Sequence, residues 1–508
     1  MADPKQISDD SRRIARNTVA LYFRMFLLIV IGLYTARIVL NALGATDKGV
    51  YESVASFVSM MTVITTSFST AVSRFMAVEI GRGDIQSQKR VFATANGIMF
   101  LVSAVLLLLG ETAGTWYVAN IMNLPEGRRG VALILFQFSL ISFIVNLLSV
   151  PYNAAIISRE KMGAFAMIGV VEGMFKLIIA FALLHSPIDK LLLYGLLMMV
   201  VAFVVRGLNA LYCSKYCPES TMRISFDKAY FSRMFGFAGW SGLSFVVYMV
   251  NTQGVTQLIN LVFGVIYNTM RGISLNVEAI VRQFVISVLV ALNPQITKSY
   301  SSGDNSYAYD LACKGSKYAY LIIFLFIVPF LFEAETILYL WLGPEAPHGS
   351  ATFTKLALIC ALMDLLMTSF STLIQADGNI RKFYIVISTV SALIFPLTFV
   401  LYKLGYPAYS CFYVFIAVYA VCNIVKLFMI SRVTGFPPKL FLTEVIWRVL
   451  PVTVFGLGAG FAVWKSMDPG FWRVFALSAS STVAILLSTY VFGLSEGEKN
   501  FVKSKLRV

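Results

Sequence analysis

Apolar stretches recur along the whole of this chain, and each is about as long as one membrane-crossing helix. A helix needs about 20 apolar residues to cross the hydrocarbon core of a bilayer. Only 13% of the residues are charged and 58% are hydrophobic, whereas soluble domains carry roughly 25% charged residues. The connections between the stretches are too short for an independent soluble domain. The sequence therefore predicts an all-α polytopic membrane protein, with any chemistry confined to the helices or their ends.

Fourteen transmembrane helices are predicted from these stretches. The predicted spans are 17–42, 51–78, 91–114, 131–157, 163–184, 190–213, 236–263, 268–297, 312–332, 352–375, 383–402, 407–431, 444–464 and 471–493. Because their number is even, both termini lie on one side of the membrane.

The basic residues indicate which side that is. Most of the 41 Lys and Arg residues fall on the side of the termini, for example Arg12, Arg82, Arg159 and Arg381. Lys and Arg are enriched in cytoplasmic loops, so we expect a multi-pass protein of a bacterial cytoplasmic membrane with both termini in the cytoplasm. The net charge of +15 is then a consequence of topology and predicts no binding of nucleic acid.

A weak internal repeat divides the chain into two related halves. Gly44 aligns with Gly264, and Gly83-Asp84 aligns with Gly303-Asp304, both at a shift of 220 residues. Further along, the Leu-Leu pair at 147–148 matches the pair at 365–366, and Val205-Arg206 matches Val425-Lys426. Six spans separate equivalent positions, so the halves have the same orientation. Transporters built from such parallel repeats bind their substrate near the bilayer midplane.

The repeat predicts two pseudo-symmetric lobes of six helices each and one added pair of helices. The predicted parts are a cytoplasmic segment 1–16, an N-lobe 17–213, a linker 214–232, a C-lobe 233–432, the extra helices 433–493 and a cytoplasmic tail 494–508.

Three arginines, Arg24, Arg271 and Arg282, lie in the middle of stretches that are otherwise apolar enough to cross a bilayer. A charged side chain at the bilayer centre costs at least about 2.5–3.5 kcal/mol on insertion scales, so it normally faces a water-filled cavity or a partner. Several cations lining one cavity would suit an anionic substrate. For Arg282 there is an alternative, because Glu278 lies four residues before it on the same helix face and could neutralise it.

Polar residues on shared helix faces extend this candidate cavity. Asn17 shares a stripe with Arg24 in span one, and Glu52, Ser59 and Thr66 lie on one face of span two. Asp364 begins a similar face in span ten. Such faces are not tolerated against lipid, where no water satisfies their hydrogen-bonding groups. We therefore expect the four spans one, two, eight and ten to line an interior path.

Four segments resemble bacterial polysaccharide transporters of the multidrug/oligosaccharidyl-lipid/polysaccharide exporter superfamily, in particular the Wzx-type flippases of lipopolysaccharide, O-antigen and capsule assembly. The segments are NTVALYFRMFLLIVIGLYTARIVLNALGATDKGVY, SRFMAVEIGRGD, VPYNAAIISREKM and ALNPQITKSYSSGD. The resemblance extends from about residue 17 to 432 and more weakly to the C-terminus. It implies a MATE-like fold without enzymatic activity, catalytic residues, bound metal or cofactor.

The resemblance also implies the substrate, an undecaprenyl-diphosphate-linked oligosaccharide moved from the cytoplasmic to the periplasmic leaflet. Arg24 and Arg271 are expected at comparable depth, as a shared diphosphate clamp. The expected partners are this lipid-linked glycan, membrane lipids and proteins of polysaccharide polymerisation, with the transporter itself acting as a monomer.

Three alternatives stay open from the residues alone. A multidrug or cation antiporter of the same superfamily would favour a carboxylate in span one or seven, and neither predicted span contains one. A membrane enzyme of polysaccharide assembly would need a larger outer loop carrying acid and base groups. A scaffold without transport activity would have no use for polar faces inside the membrane.

Overall fold

The computed structural model describes the backbone of residues 4–159, 161–220, 224–377 and 380–506. Side chains are described from Met25 onward within these ranges, except at 240, 241, 243, 244, 290, 291, 380, 501, 502, 505 and 506. Throughout the described residues the secondary structure is helical, and no strand is present. The prediction of an all-α protein is confirmed.

The chain divides into two compact units, Met1–Asn268 and Thr269–Val508. The helices of the first unit are α1 (Pro4–Ser59), α2 (Thr62–Arg82), α3 (Ile85–Leu109), α4 (Thr115–Asn120), α5 (Arg129–Leu147), α6 (Val150–Ser158), α7 (Met162–Leu184), α8 (Lys190–Tyr216), α9 (Lys228–Met249) and α10 (Val255–Phe263). A π-helical turn at Gly110–Gly114 joins α3 to α4, and another at Val250–Gly254 joins α9 to α10.

Helix α11 (Val265–Ser301) begins in the first unit and continues into the second. The other helices of the second unit are α12 (Asn305–Leu342), α13 (Ser350–Leu365), α14 (Thr368–Asp377), α15 (Ile380–Ser391), α16 (Ile394–Lys403), α17 (Ser410–Thr434), α18 (Pro438–Phe441), α19 (Trp447–Ser466), α20 (Phe471–Ser488) and α21 (Glu496–Leu506). Two more π-helical turns, Leu442–Ile446 and Thr489–Gly493, precede α19 and follow α20.

Twelve helical stretches within the described residues are long and apolar enough to cross a membrane. The chain is therefore a multi-pass membrane protein. The first stretch, Met25–Ser59, joins predicted span one to the start of span two. The rest of span two, Thr62–Arg82, and predicted span seven are helical but are not among the twelve. Helix α2 combines many Ser and Thr residues with Arg74 and Glu79, and together they lower its hydropathy.

The backbone confirms the internal repeat. Gly44 interrupts α1 with φ 73° and ψ 171°, and Gly264 separates α10 from α11 with φ 86° and ψ −175°. Gly83 and Gly303 also have positive φ, a region in which only glycine avoids a steric cost. Each of the latter two is followed by an aspartate whose carboxylate accepts hydrogen bonds from the backbone of the next helix. Equivalent sequence positions thus make equivalent turns.

A second pair of equivalent positions lies inside the helices. Helix α5 ends at Leu147 and α6 starts at Val150, while α13 ends at Leu365 and α14 starts at Thr368. Both interruptions fall at the Leu-Leu pairs that the sequence comparison aligned. The repeat therefore covers turns and helix breaks as well as the apolar spans.

The seventh predicted span belongs to the first unit in the structure. The sequence prediction assigned it to the C-lobe, which was expected to start at residue 233. The observed boundary between Asn268 and Thr269 lies one span later, because α9 packs along α2 and α10 packs against α1. Hydrogen bonds from Gln257 and Asn260 to Ser53 explain the packing of α10 against α1.

The added C-terminal pair packs on α12. Glycines at 456 and 460 bring α19 close to its neighbours: a Cβ at Gly456 would lie 2.8 Å from Ile485 Cγ1 and 2.9 Å from Phe324 Cε1. A Cβ at Gly460 would lie 2.8 Å from Val328 Cγ1. Small residues four apart allow such close approach between membrane helices.

Candidate functional site

Arg271 is buried near the start of α11, with 1% of its surface exposed. Its guanidinium carbon lies 5.5 Å from the ring centre of Phe412 and 5.8 Å from that of Phe415, both on α17. Its Nη1 lies 3.6 Å from the Sγ of Cys411. The structure thus keeps a cation inside the second unit against an aromatic wall, an arrangement that is electrostatically favourable.

Arg282 lies three turns further along α11 and is held by two carboxylates. Its Nε donates to Glu278 Oε1 at 2.7 Å, and its Nη1 donates to Asp364 Oδ2 on α13 at 2.7 Å. The three side chains are 13–30% exposed. The alternative raised from the sequence, that Glu278 neutralises Arg282, is therefore observed. The second partner, Asp364, leaves the triad with two carboxylates for one guanidinium.

The polar faces of spans eight and ten are in contact. Besides the contact between Arg282 and Asp364, the Thr372 hydroxyl on α14 donates to Asn293 Oδ1 on α11 at 3.1 Å. Two polar contacts thus join α11 to the helices of span ten, about 16 Å apart along α11 at 1.5 Å per residue.

In the first unit, Glu52 is paired at the outer start of predicted span two. Lys48 Nζ lies 2.6 Å from Glu52 Oε1, one helical turn away, and 5.0 Å from the ring centre of Tyr51. Tyr51 stacks at a tilt on Tyr194 of α8, with ring centres 4.7 Å apart. Glu52 is therefore part of a local ion pair and aromatic cluster.

Ser59 and Thr66 lie on either side of the turn that divides span two. The Ser59 carbonyl accepts a 2.6 Å hydrogen bond from the Thr62 hydroxyl. Thr66 is exposed, and its hydroxyl donates to the Thr62 carbonyl at 3.1 Å. Thr70 repeats this arrangement one turn later. The predicted polar face of span two is thus exposed in its second half, with hydroxyl groups that already bond to their own helix.

Asn17 and Arg24 lie outside the residues whose side chains the structure describes. The expectation that Arg24 and Arg271 lie at comparable depth stays a prediction.

A buried polar network in the first unit was missed from the sequence. Gln257 donates to Ser56 Oγ at 2.6 Å and to the Ser53 carbonyl at 2.8 Å. Asn260 and Asn268 both donate to Ser53 Oγ, at 3.1 and 2.7 Å. These bonds hold span seven against α1. The available signal was that Gln257 and Asn260 lie three residues apart on one face of an otherwise apolar helix.

Two charged clusters at helix ends were also missed. Arg128 forms ion pairs with both Asp47 and Asp189 at the predicted outer side. Burial raises the pKa of Asp189, but backbone N–H donors and Arg128 outweigh it and hold that pKa below its usual value. At the predicted cytoplasmic side, Arg159 Nη2 lies 2.5 Å from the buried Glu219. These clusters join loops that are distant in sequence, which no local pattern indicates.

Comparison with known proteins gives one related sequence and several related structures. No protein-family model matches the sequence. The chain is 22% identical over 324 residues to an uncharacterized membrane protein EpsK of Bacillus subtilis (strain 168), a match that covers 63% of this chain. It spans 64% of the length of that relative.

Solved transporters share the architecture. The lipid II flippase MurJ in an inward closed conformation matches with a TM-score of 0.68 and 13% identity, covering 94% of this chain and 98% of that one. A MATE transporter in complex with MaL6 matches with a TM-score of 0.59 and 12% identity, covering 84% and 97%. An inward-facing multidrug resistance MATE family transporter of the MOP superfamily matches at 0.54 and 12%, covering 93% and 96%. The chain has the fold of these transporters. The fold predicted from the sequence is thereby confirmed.

Proposed function

We propose that this protein is a flippase that moves an undecaprenyl-diphosphate-linked oligosaccharide from the cytoplasmic to the periplasmic leaflet of a bacterial inner membrane. It would act by alternating access in lipopolysaccharide or capsular polysaccharide assembly, as a Wzx-type transporter and without enzymatic activity. The fold shared with a lipid II flippase over 94% of the chain supports this proposal. The positively charged loops on the side of the termini support the orientation.

The observation that carries the proposal is the buried Arg271. A guanidinium with 1% of its surface exposed lies about 9 Å along a membrane helix, with Phe412 and Phe415 beside it. Intramembrane arginines normally serve a functional site, because their burial is costly. Arginine binds phosphate oxygens through its planar fork of N–H donors. A diphosphate headgroup therefore matches the charge and the geometry of this side chain.

Arg24 extends the proposal to span one. It would bind the diphosphate together with Arg271, as a clamp shared by the two arginines. The exposed hydroxyl faces, to which Thr66 belongs, would offer hydrogen-bond partners to sugar groups.

The test is translocation of a lipid-linked oligosaccharide by purified protein in reconstituted vesicles. Arg271→Ala is expected to weaken headgroup binding about ten- to 150-fold, because a charge-assisted contact is lost, and Arg24→Ala should have a similar effect. Lysine at either position should restore activity only in part, since it keeps the charge but lacks the fork. Folding of Arg271→Ala is checked by thermal unfolding, with Arg271→Lys as the milder variant. Wild-type translocation by folded Arg24→Ala and Arg271→Ala variants would refute the proposal.

One observation favours a second candidate function, a cation antiporter of the same superfamily. Glu278 and Asp364 place two carboxylates around the single guanidinium of Arg282, so the triad carries one excess negative charge that a cation could balance. An antiporter would export a cationic dye from vesicles on a sodium or proton gradient, and Asp364→Asn would abolish this export. A flippase without that activity would leave dye distribution unchanged in both proteins.

A further inference from the structure

Another intramembrane arginine, Arg206, lies in the first unit. It is on α8, ten residues before the helix ends at Tyr216, which is about 15 Å along the helix. In the internal repeat it aligns with Lys426. The guanidinium carbon of Arg206 lies 3.9 Å from the ring centre of the buried Tyr152, on α6.

The N–H groups of this guanidinium lack protein partners among the described residues. Its Nη1 is buried and has no hydrogen-bond partner, and no carboxylate of a described residue lies within 4.0 Å of the side chain. Two other cations inside the spans differ in this respect, because Lys176 is paired with Glu172 at 2.6 Å and Arg282 is held by two acids. Stacking on an aromatic ring satisfies the face of a guanidinium and leaves the N–H groups at its edge free.

The direction of the side chain also argues against the alternative that Arg206 extends to the lipid headgroups at the nearer, cytoplasmic membrane surface. Side chains of an α-helix lean towards its N-terminus, and the N-terminus of α8 is at the predicted outer side. The side chain of Arg206 therefore starts away from the predicted cytoplasmic surface, and Tyr152 holds its head. A guanidinium that cannot readily reach the headgroup region needs a partner where it is.

The internal repeat provides independent support. Arg206 follows the first residue of α8 by 16 residues, and Lys426 follows the first residue of α17 by 16 residues. Lys426 likewise has no ion-pair partner among the described residues. A cation without a nearby acid thus occurs at the same helix position in both halves.

We propose that Arg206, on its Tyr152 platform, is an anion site of the first unit that binds the phosphate or diphosphate group of a lipid. The free edge of the guanidinium fits two phosphate oxygens at once. The group could belong to a prenyl diphosphate or to an anionic phospholipid such as phosphatidylglycerol. This site goes beyond the proposed function, because it is defined by binding and is independent of translocation.

The experiment measures hydrogen exchange of the full-length protein in nanodiscs. In discs of phosphatidylcholine, farnesyl diphosphate is titrated; in a second series, phosphatidylglycerol replaces part of the phosphatidylcholine. The readout is slower exchange of the backbone amides around Tyr152 and Arg206. Peptides around Arg271 are followed separately, so that binding at the proposed transport site is recognised as such. Binding at Arg206 is therefore tested independently of the proposed flippase activity.

In the wild-type protein, we expect ligand to protect these amides from exchange, with a midpoint defined as the ligand concentration at half-maximal protection. Arg206→Gln should raise this midpoint about ten- to 150-fold, because a charge-assisted contact is lost. Protection by farnesyl diphosphate alone identifies a diphosphate site, and protection by phosphatidylglycerol alone identifies a phospholipid headgroup site. The matched control is the double variant Glu172→Gln, Lys176→Gln, which removes a self-neutralised pair and should leave the midpoint unchanged.

Two further variants keep the proposal open to refutation if Arg206→Gln does not fold. Arg206→Lys retains the charge without the fork, and Tyr152→Leu removes the platform. Both should raise the midpoint by a smaller factor than Arg206→Gln would. Unchanged midpoints in folded Arg206→Gln, or in both substitutes, overturn the proposal, as does the absence of protection by either ligand in the wild-type protein.

Discussion

The guanidinium of Arg282 cannot be removed without leaving two uncompensated carboxylates, Glu278 and Asp364. Removing one partner of a buried ion pair is strongly destabilising, so we expect Arg282→Ala to cost about 3 kcal/mol in the free energy of unfolding. The loss in translocation should be smaller than that of Arg271→Ala, if Arg282 chiefly neutralises its two partners. Denaturant unfolding and vesicle translocation, measured on the same preparations, separate the two effects.

The control for this prediction neutralises the triad as a whole. Glu278→Gln, Arg282→Met and Asp364→Asn together remove every charge, and neutral replacement of buried ions is often tolerated. The triple variant should therefore be more stable than Arg282→Ala alone. If it is equally unstable, the cost arises from lost packing rather than from unpaired charge.

The same residues show what can be read from a sequence at this scale. The pair of Glu278 and Arg282 was predictable, because residues four apart face each other on a helix. Asp364 was recognised as polar but not as the third member, since it lies on another helix, 82 residues from Arg282. Ser53 likewise gives no local sign that Asn268 will donate to it. Local periodicity indicates which face is polar, while partners on other helices depend on packing.

At the scale of elements, Glu498 joins α21 to α12 near the start of predicted span nine. This carboxylate accepts hydrogen bonds from Lys317 at 2.6 Å and from the Tyr318 hydroxyl, and Lys317 is 2% exposed. Glu498→Gln would leave a buried ammonium without its counter-ion, so we expect a loss of about 3–5 kcal/mol and faster hydrogen exchange across α21. The matched control is Glu496→Gln, whose exposed pair with Lys499 should contribute less than about 1 kcal/mol.

The same contact predicts a dependence on pH. Burial raises the pKa of Glu498, but hydrogen bonds from Lys317, Tyr318 and the Ser495 backbone outweigh it and hold this pKa at about 2. Because the pKa is lower in the folded state than in the unfolded chain, the stabilisation is complete above the unfolded value of about 4.3 and is lost as the pH falls towards 2. The difference in melting temperature between wild type and Glu498→Gln should be constant from pH 7 to 5 and shrink by pH 3. A difference that grows on acidification would contradict this.

Elements that repeat were the most predictable part of the fold. The matches of Gly44 with Gly264 and of Gly83 with Gly303 reappear as equivalent turns, because backbone conformations with positive φ restrict the residue type strongly. The assignment of span seven could not be obtained in this way. It depends on Gln257 and Asn260 reaching Ser53, and a sequence repeat carries no information about which neighbour a helix packs against.

For the molecule as a whole, the fold and the duplication motivate a prediction about motion. Transporters with repeated halves expose their site alternately by moving one half against the other. We expect the predicted cytoplasmic ends to separate and approach during each cycle. Gln86 and Ser306 are suitable reporters, because both are exposed in the first turns of α3 and α12, the helices that follow the equivalent glycines Gly83 and Gly303. The six native cysteines are buried, so introduced thiols should react selectively.

The double variant Gln86→Cys, Ser306→Cys is treated with bifunctional thiol reagents of graded length that contain a cleavable disulfide. A short cross-link should stop translocation by preventing the ends from separating, a long one should permit more of it, and reduction should restore the rate. The single variants, modified with the same reagents, control for the effect of the added groups. If cross-linked protein translocates at the wild-type rate whatever the length, the two halves do not need to move apart at this end. Substrate would then have to reach Arg24 and Arg271 without opening between the turns at Gly83 and Gly303.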